Sequence, residues 1–225
     1  MSRTAIVAGV GPGLGSALAQ KFVDEGCQVG LFARSESYIE ELAADLGPDA
    51  LAVPTDITEP DQVTDGFEAV RSAFGPVDIL VNHASGGTWT GVREISPAEF
   101  DHALQVSATG GLLCSQAAVE DMLPDGGTTI FTGATSAVRG RGGAPGFSAA
   151  KFAARGLAES MARELGPEGI HVAHVVIDGQ IDAADGADET RLAPEAIAES
   201  YWHLVEQDRS AWTLELDLRP HVEAF

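Results

Sequence analysis

Apolar residues fall along this chain in two alternating patterns. Short runs dense in Val, Ile, Leu and Ala, without polar alternation, occur at Thr4–Gly9, Gln28–Ala33, Ala50–Val53, Asp78–Asn82, Thr128–Thr132 and His171–Ile177. A seventh begins at Trp212 and runs through Leu216 toward Leu218. Runs apolar at successive positions suit strands buried on both faces of a parallel sheet. Between them the apolar positions recur at helical spacing. Leu14, Leu18 and Phe22 share one face, and Leu192–Gln207 reads as an amphipathic helix. Thr58-Glu59-Pro60-Asp61 and Ser96-Pro97-Ala98-Glu99 each combine a cap residue, an early proline and an acid three places on, which marks a helix start. Strand and helix alternate throughout. That order predicts an α/β fold with a doubly wound, mostly parallel seven-stranded sheet, helices on both faces and right-handed crossovers. No repeat or linker divides the chain, so residues 1–225 are expected to form a single domain. The stretch Asp178–Thr190, rich in Asp, Ala and Gly, is expected as a surface loop at the carboxyl end of a strand, where it would cover a ligand.

Composition adds the setting. Cys27 and Cys114 are too few for a disulfide framework and lie in apolar segments, so they are expected as buried thiols. Met1-Ser2-Arg3-Thr4 leads straight into the first strand with no signal-peptide pattern, and no apolar run reaches the length of a membrane span, so a cytoplasmic protein is expected. Acidic residues outnumber basic ones 34 to 13, the net charge is −21, and Lys21 and Lys151 are the only lysines. A surface so acidic repels phosphate backbones and anionic lipid, which argues against nucleic acid and membrane as partners. Many carboxylates with almost no lysine point to adaptation to high salt, where counterions screen self-repulsion.

The chemistry starts at Ala8-Gly9-Val10-Gly11-Pro12-Gly13-Leu14-Gly15, which follows the first strand and opens the first helix. Glycines here permit a tight turn and close approach of backbone to a pyrophosphate, and the helix start offers unpaired N–H groups and a positive dipole end. Gly9, Gly13 and Gly15 form Gly-x-x-x-Gly-x-Gly. With that spacing the sequence resembles the short-chain dehydrogenase/reductase family, whose single Rossmann domain it matches over nearly its whole length. Asn82-His83-Ala84-Ser85 looks like the family's Asn-Asn-Ala-Gly element, Thr55-Asp56 like its adenine-contacting aspartate, Lys151 like its catalytic lysine, and Asp178-Gly179 like its Pro-Gly after the sixth strand. The segment after Gly179 is shorter than in most members. The resemblance places the cofactor on Gly9, Gly11, Gly13, Leu14, Gly15, Arg34, Ser35, Asp56, Ile57, Asn82, Ala84, Lys151, Gly179 and Ile181.

The second strand ends Phe32-Ala33-Arg34-Ser35, with no acid before Glu36. Dinucleotide sites that prefer NAD place an acid there for the ribose 2′-OH, and those that prefer NADP place an arginine near the 2′-phosphate. Arg34 can meet a phosphate bidentately and Ser35 can add a hydroxyl, so NADP is expected over NAD. The alternative is a surface arginine capping the following helix.

The catalytic positions depart from the family. A family tyrosine and lysine stand one helical turn apart, the lysine's charge lowering the phenol's pKa so that it protonates the substrate carbonyl. Here Phe147-Ser148-Ala149-Ala150-Lys151 keeps the lysine and has no phenol. The only tyrosines are Tyr38 and Tyr201. The family serine falls on Ala134, with Thr135 and Ser136 adjacent, and the family asparagine falls on Ser107. Lys151, Ser136, Thr135 and Ser107 are therefore the catalytic candidates, with His83 a conceivable proton donor or a structural histidine. Loss of a positioned donor forfeits roughly two to four powers of ten in rate. Turnover survives if water or the substrate supplies the proton, or if the proton goes to carbon, as in reduction of an activated alkene. Arg139 and Arg141 lie in the loop before the Lys151 helix; they hold a carboxylate or phosphate on the substrate, offset the acidic surface or bind a neighbouring subunit.

Two functions stay open. One is an NADP(H)-dependent oxidoreductase acting on a small carbonyl, alcohol or activated alkene through a non-standard site. The other is a catalytically silent NADP-binding homologue serving as regulator or partner subunit. The resemblance implies a small-molecule substrate and a homodimer or homotetramer built through helices near Glu99–Met122 and Phe147–Leu165. Trp202, Trp212 and Phe225 are expected in the core or a subunit contact rather than in a ligand site.

Overall fold

Seven strands line up in one sheet in the computed structural model, which describes residues 2–182 and 190–223. They are β1 (Thr4–Ala8), β2 (Gln28–Ala33), β3 (Ala50–Pro54), β4 (Ile79–Asn82), β5 (Gly127–Thr132), β6 (Ile170–Ile177) and β7 (Glu215–Leu218). Their order is β3-β2-β1-β4-β5-β6-β7, and all six pairings are parallel. The helices are α1 (Leu14–Asp24), α2 (Glu36–Leu46), α3 (Pro60–Phe74), α4 (Pro97–Leu104), α5 (Gly110–Met122), α6 (Pro145–Leu165) and α7 (Pro194–Val205).

The side-chain alternation of each strand splits the core into two layers. Ala5 and Val7 of β1 face Leu18, Phe22 and Tyr201 on the α1/α7 side, while Ile6 and Ala8 face Phe67, Cys114 and Met122 on the α3/α5 side. β1 and β6 are buried at every position, which is why they read as unbroken apolar runs. Cys27 and Cys114 are buried, and loss of solvation pushes their thiols up to about 11 and about 12, so both stay protonated.

The expected helix starts fared differently. At α4, Ser96 Oγ accepts from the Glu99 amide at 3.2 Å and Glu99 Oε2 accepts from the Ser96 amide at 2.8 Å, a full capping box. Before α3, Thr58 does not cap; its amide and hydroxyl donate to Asp56 Oδ1 at 3.0 and 2.7 Å, and Glu59 takes the cap place without a side-chain bond. The long helix expected over Glu99–Met122 is α4 and α5 joined by a π-helical turn at Gln105–Thr109. The last strand starts at Glu215 rather than Trp212. The Trp212 ring stacks on His171 at 5.0 Å, and Thr213 N–H donates to Gln207 Oε1 at 2.8 Å, so these residues latch the loop before pairing begins. Trp202 packs on Phe22 with the Arg3 guanidinium over its ring, as expected of a core residue. Phe225 lies outside the described residues. Among the described residues no helix is long and apolar enough to cross a membrane.

β1 is the point where the chain reverses direction across the sheet, with β2 and β3 on one side and β4 to β7 on the other. Ligands of such sheets sit at the carboxyl ends of the strands beside this reversal.

Candidate active site

The glycine turn is locked to the strand next to it. Gly9 has φ +106°, and a Cβ there would lie 2.4 Å from the Ala84 amide nitrogen. The Gly9 and Val10 amides both donate to Phe32 O, at 2.8 and 2.9 Å. Gly13, with φ +92°, precedes α1 without a side-chain cap, leaving the helix's first N–H groups to another partner. Leu14 is buried and pins the helix start to the core. Gly15 packs against Val10, whereas nothing lies within 4 Å of a Cβ built on Gly11. The glycines thus divide: Gly9 and Gly15 serve packing, and Gly11 faces open space. Gly11→Ala is expected to leave the melting temperature unchanged while weakening cofactor binding. Gly9→Ala is expected to destabilise the fold itself by at least about 1–3 kcal/mol through overpacking. Thermal melts read beside coenzyme titrations separate the two.

Beside the turn, Arg34 and Ser35 line a cleft of about 240 Å³ with Asp56, Ile57, Ala84 and His102. Arg34 makes no ion pair among the described residues and does not cap α2, whose start at Ser35 has no side-chain cap. Partial burial pushes the Asp56 carboxyl up, but the two Thr58 bonds, with Arg34 and His102 nearby, outweigh it and hold the group below the usual range. Ile57 touches the start of α5, since a Cβ on Gly110 would lie 2.7 Å from Ile57 Cδ1. His102 was not among the sequence candidates. Nothing in its neighbourhood marked it, and only the path of α4 brings it to this cleft.

At the end of β4, Asn82 Nδ2 donates to Ser115 Oγ at 3.1 Å, and its Oδ1 is buried without a partner. The Ala84 amide donates to Ala8 O at 2.7 Å. Ser107, inside the π-helical turn, accepts from the Gly86 amide at 3.3 Å and so anchors the loop that follows β4.

Thr132, the last residue of β5, is the hub of the site. Lys151 on α6 is buried, and its Nζ donates to Thr132 O at 2.8 Å. Burial pulls the Lys151 pKa down to about 8. Thr132 Oγ1 shares hydrogen bonds with His83 Nδ1 at 3.1 Å and Tyr201 OH at 2.8 Å. Burial, with a smaller push from Lys151, brings His83 down to about 4, so its imidazole is neutral at ordinary pH. Burial raises the Tyr201 phenol, more than the Thr132 bond lowers it. Among the described residues, the Tyr201 hydroxyl's one hydrogen bond is to Thr132.

Phe147 stands one turn before Lys151, with Lys151 Nζ 5.7 Å from its ring centroid. Gly87 packs against it, and Trp89 lies 5.5 Å away, ring centre to ring centre. Ser136 is buried in the short 3₁₀ turn Thr135–Ala137 and makes no side-chain hydrogen bond among the described residues. Thr135 behaves differently: its hydroxyl gives its hydrogen to Asp178 Oδ1 in a short bond, which withdraws it from donating to a ligand. Gly179 packs on Pro220, and Ile181 bridges to Leu192 against the α1/α7 layer. The expected covering loop falls mainly on residues 183–189, which lie outside the described residues. Arg139 and Arg141 line a wider cleft of about 770 Å³ with Thr135, Asp178, Gly179 and Gln180.

A parallel sheet with a glycine turn at its reversal point, an uncapped helix start and a lone arginine beside it defines a dinucleotide-binding α/β protein. The chain belongs to the short-chain dehydrogenase family, a class of NAD(P)-dependent oxidoreductases, whose pattern it matches over residues 3–195. It is 28% identical over 224 residues to an uncharacterized oxidoreductase of Staphylococcus aureus (strain USA300), covering 97% of both chains. It is 35% identical over 178 residues to a 3alpha-hydroxysteroid dehydrogenase of Mediterraneibacter gnavus, covering 76% of this chain and 71% of that one. A 3-ketoacyl-(acyl-carrier-protein) reductase from Brucella melitensis, solved with NADH, superposes with a TM-score of 0.89 at 27% identity over 97% of each chain.

Proposed function

We propose that this chain is an NADP(H)-dependent oxidoreductase that moves hydride between nicotinamide and a small carbonyl, alcohol or activated alkene, through a site with no phenol. The observation that carries this reading is Lys151. A buried ammonium has three donors, and here one protein oxygen receives one of them. A buried cation so thinly partnered is costly unless something else arrives, and the ribose hydroxyls of a nicotinamide nucleotide fit the remaining donors. Arg34 gives the second support: among the described residues it has no carboxylate partner, and it lies at the end of β2, where NADP-preferring sites carry an arginine.

In this reading the cofactor, when bound, supplies or accepts the hydride. The turn at Gly9–Gly15 cradles the pyrophosphate, Arg34 and Ser35 hold the 2′-phosphate, and Asp56 and Ile57 flank the adenine. Asn82, Ala84, Gly179 and Ile181 line the nicotinamide half. Ser136 polarises the substrate oxygen, and water delivers the proton that a tyrosine would give. Ser107 positions the loop after β4 through Gly86.

A second reading, binding without turnover, is favoured by Phe147 and by the Thr135 hydroxyl being committed to Asp178. NADPH oxidation separates the two when screened with aldehydes, ketones, quinones and enones on wild type and Phe147→Tyr. Turnover by the wild type supports the enzyme. Activity confined to the tyrosine variant supports the silent homologue.

The exposed Leu112 on α5 and Phe152 on α6 flank a face that would be covered in a homodimer or homotetramer. The charge of −21 makes the protein salt-dependent. Its melting temperature is expected to rise by several degrees between low and molar salt, as a calorimetric series would register. An unchanged value would remove the high-salt adaptation.

A further inference from the structure

We propose that the wide cleft lined by Thr135, Arg139, Arg141 and Gly179 takes a substrate bearing an anionic group on a planar or apolar body. Arg139 and Arg141 receive the anion and Trp89 receives the body. This rests on Lys151 and its neighbours being the active site.

The first support is charge. Several arginines elsewhere pair with carboxylates, Arg3 with Glu206 at 2.6 Å, Arg71 with Asp121 at 2.8 Å and Arg155 with Glu215 at 2.6 Å, whereas Arg34 and Arg93 pair with none among the described residues. Arg139 and Arg141 pair with none among the described residues, although the chain carries 34 acids. Asp178, which shares their cleft, is already bound to the Thr135 hydroxyl and lies 3.3 Å from Arg219. Among the described residues, then, the two guanidinia keep their donors open, although Glu223 also lines this cleft.

The second support is geometry. The Arg141 amide donates to Ser148 Oγ at 3.0 Å, which fixes the loop to the first turn of α6. Its guanidinium lies 4.8 Å from the centre of the Trp89 ring, and Trp89 in turn leans on Phe147 beside Lys151. Stacking holds the planar cation while leaving its N–H edge open to an anion. Trp89 itself is 66% exposed and belongs to neither apolar layer. A large exposed ring beside the Arg141 guanidinium is a contact surface rather than core. Gly140, Gly142 and Gly143 separate and follow the arginines, and a Cβ on any of them would touch nothing within 4 Å. The loop thus has room to bring both side chains together. A cleft of about 770 Å³, reaching from these arginines to Thr135 and Gly179, falls in the range of small-molecule sites.

The test uses the NADP-loaded protein and three aldehydes of one shape: 4-formylbenzoate, 4-formylphenyl phosphate and the neutral methyl 4-formylbenzoate. Calorimetric titration at fixed ionic strength reads binding without needing turnover. At least one anion is expected to bind tenfold or more tightly than the ester, and the better of the two tells carboxylate from phosphate. Arg139→Gln with Arg141→Gln is expected to erase that preference while NADP affinity stays within twofold. Trp89→Leu is expected to weaken all three probes alike. Anions and ester binding within twofold of one another in the wild type would overturn the proposal, as would a preference that survives the double substitution. With NADPH in place of NADP, anion preference without reduction of any probe counts against aldehyde reduction and leaves this proposal standing, and reduction without anion preference sinks this one alone.

Discussion

Phe147→Tyr is expected to raise the rate of ketone reduction by roughly two to four powers of ten. The ring at 147 is one turn from Lys151, with Nζ 5.7 Å from the ring centre. A hydroxyl on the far edge of that ring adds the missing proton donor beside a cation that lowers its pKa. The gain should depend on Lys151 and disappear in Phe147→Tyr with Lys151→Met. It should also fade with rising pH. Burial places the Lys151 pKa near 8, so the ammonium that assists the phenol is present below that pH and lost above it. Initial rates of NADPH oxidation across pH 6 to about 10 give both results. A tyrosine variant that binds NADPH as the wild type does, yet reduces ketones no faster, would mean that the ring does not face the substrate.

Arg34→Gln is expected to weaken NADPH binding about 10- to 100-fold and to change NADH binding by less than about twofold. Hydrogen bonds to charged groups contribute about 1.5–3 kcal/mol, and 1.4 kcal/mol is a factor of ten. The loss is expected to be confined to NADPH because Arg34 is the one arginine or lysine lining this cleft among the described residues. The gap between the coenzymes should narrow as salt rises, since exposed charges are screened. Titrating both coenzymes at two ionic strengths provides the measurement. Equal losses for NADPH and NADH would show that Arg34 does not read the 2′-phosphate.

The sheet was legible because its central strands are buried on both faces. From β1 to β6 the apolar runs mark the strands to within a residue or two, since nothing local competes with burial there. β7 slipped because Trp212 and Thr213 carry strand-like side chains that are spent on His171 and Gln207. The Ser96 capping box was visible because all its parts lie within four residues. Thr58 misled because Asp56, two residues earlier, competes for the same hydroxyl. The cofactor turn could be read from glycine spacing, but spacing does not separate Gly11, which faces open space, from Gly9, which packs on Ala84. The site's polar wiring was hidden, because each link joins segments far apart in sequence: Tyr201 to Thr132, Thr135 to Asp178, Arg141 to Trp89.

Thr132 joins both faces of the sheet through one residue. Its carbonyl carries the ammonium on the α6 side, and its hydroxyl ties His83 to a phenol buried under α7 on the other. Ordinary drift at 201, far from any ligand, is therefore not silent: it frees a hydroxyl to rotate, alters which imidazole nitrogen keeps its hydrogen, and re-tunes the pocket from behind. Inheritance should hold positions 83, 132 and 201 as a set, changing together or hardly at all.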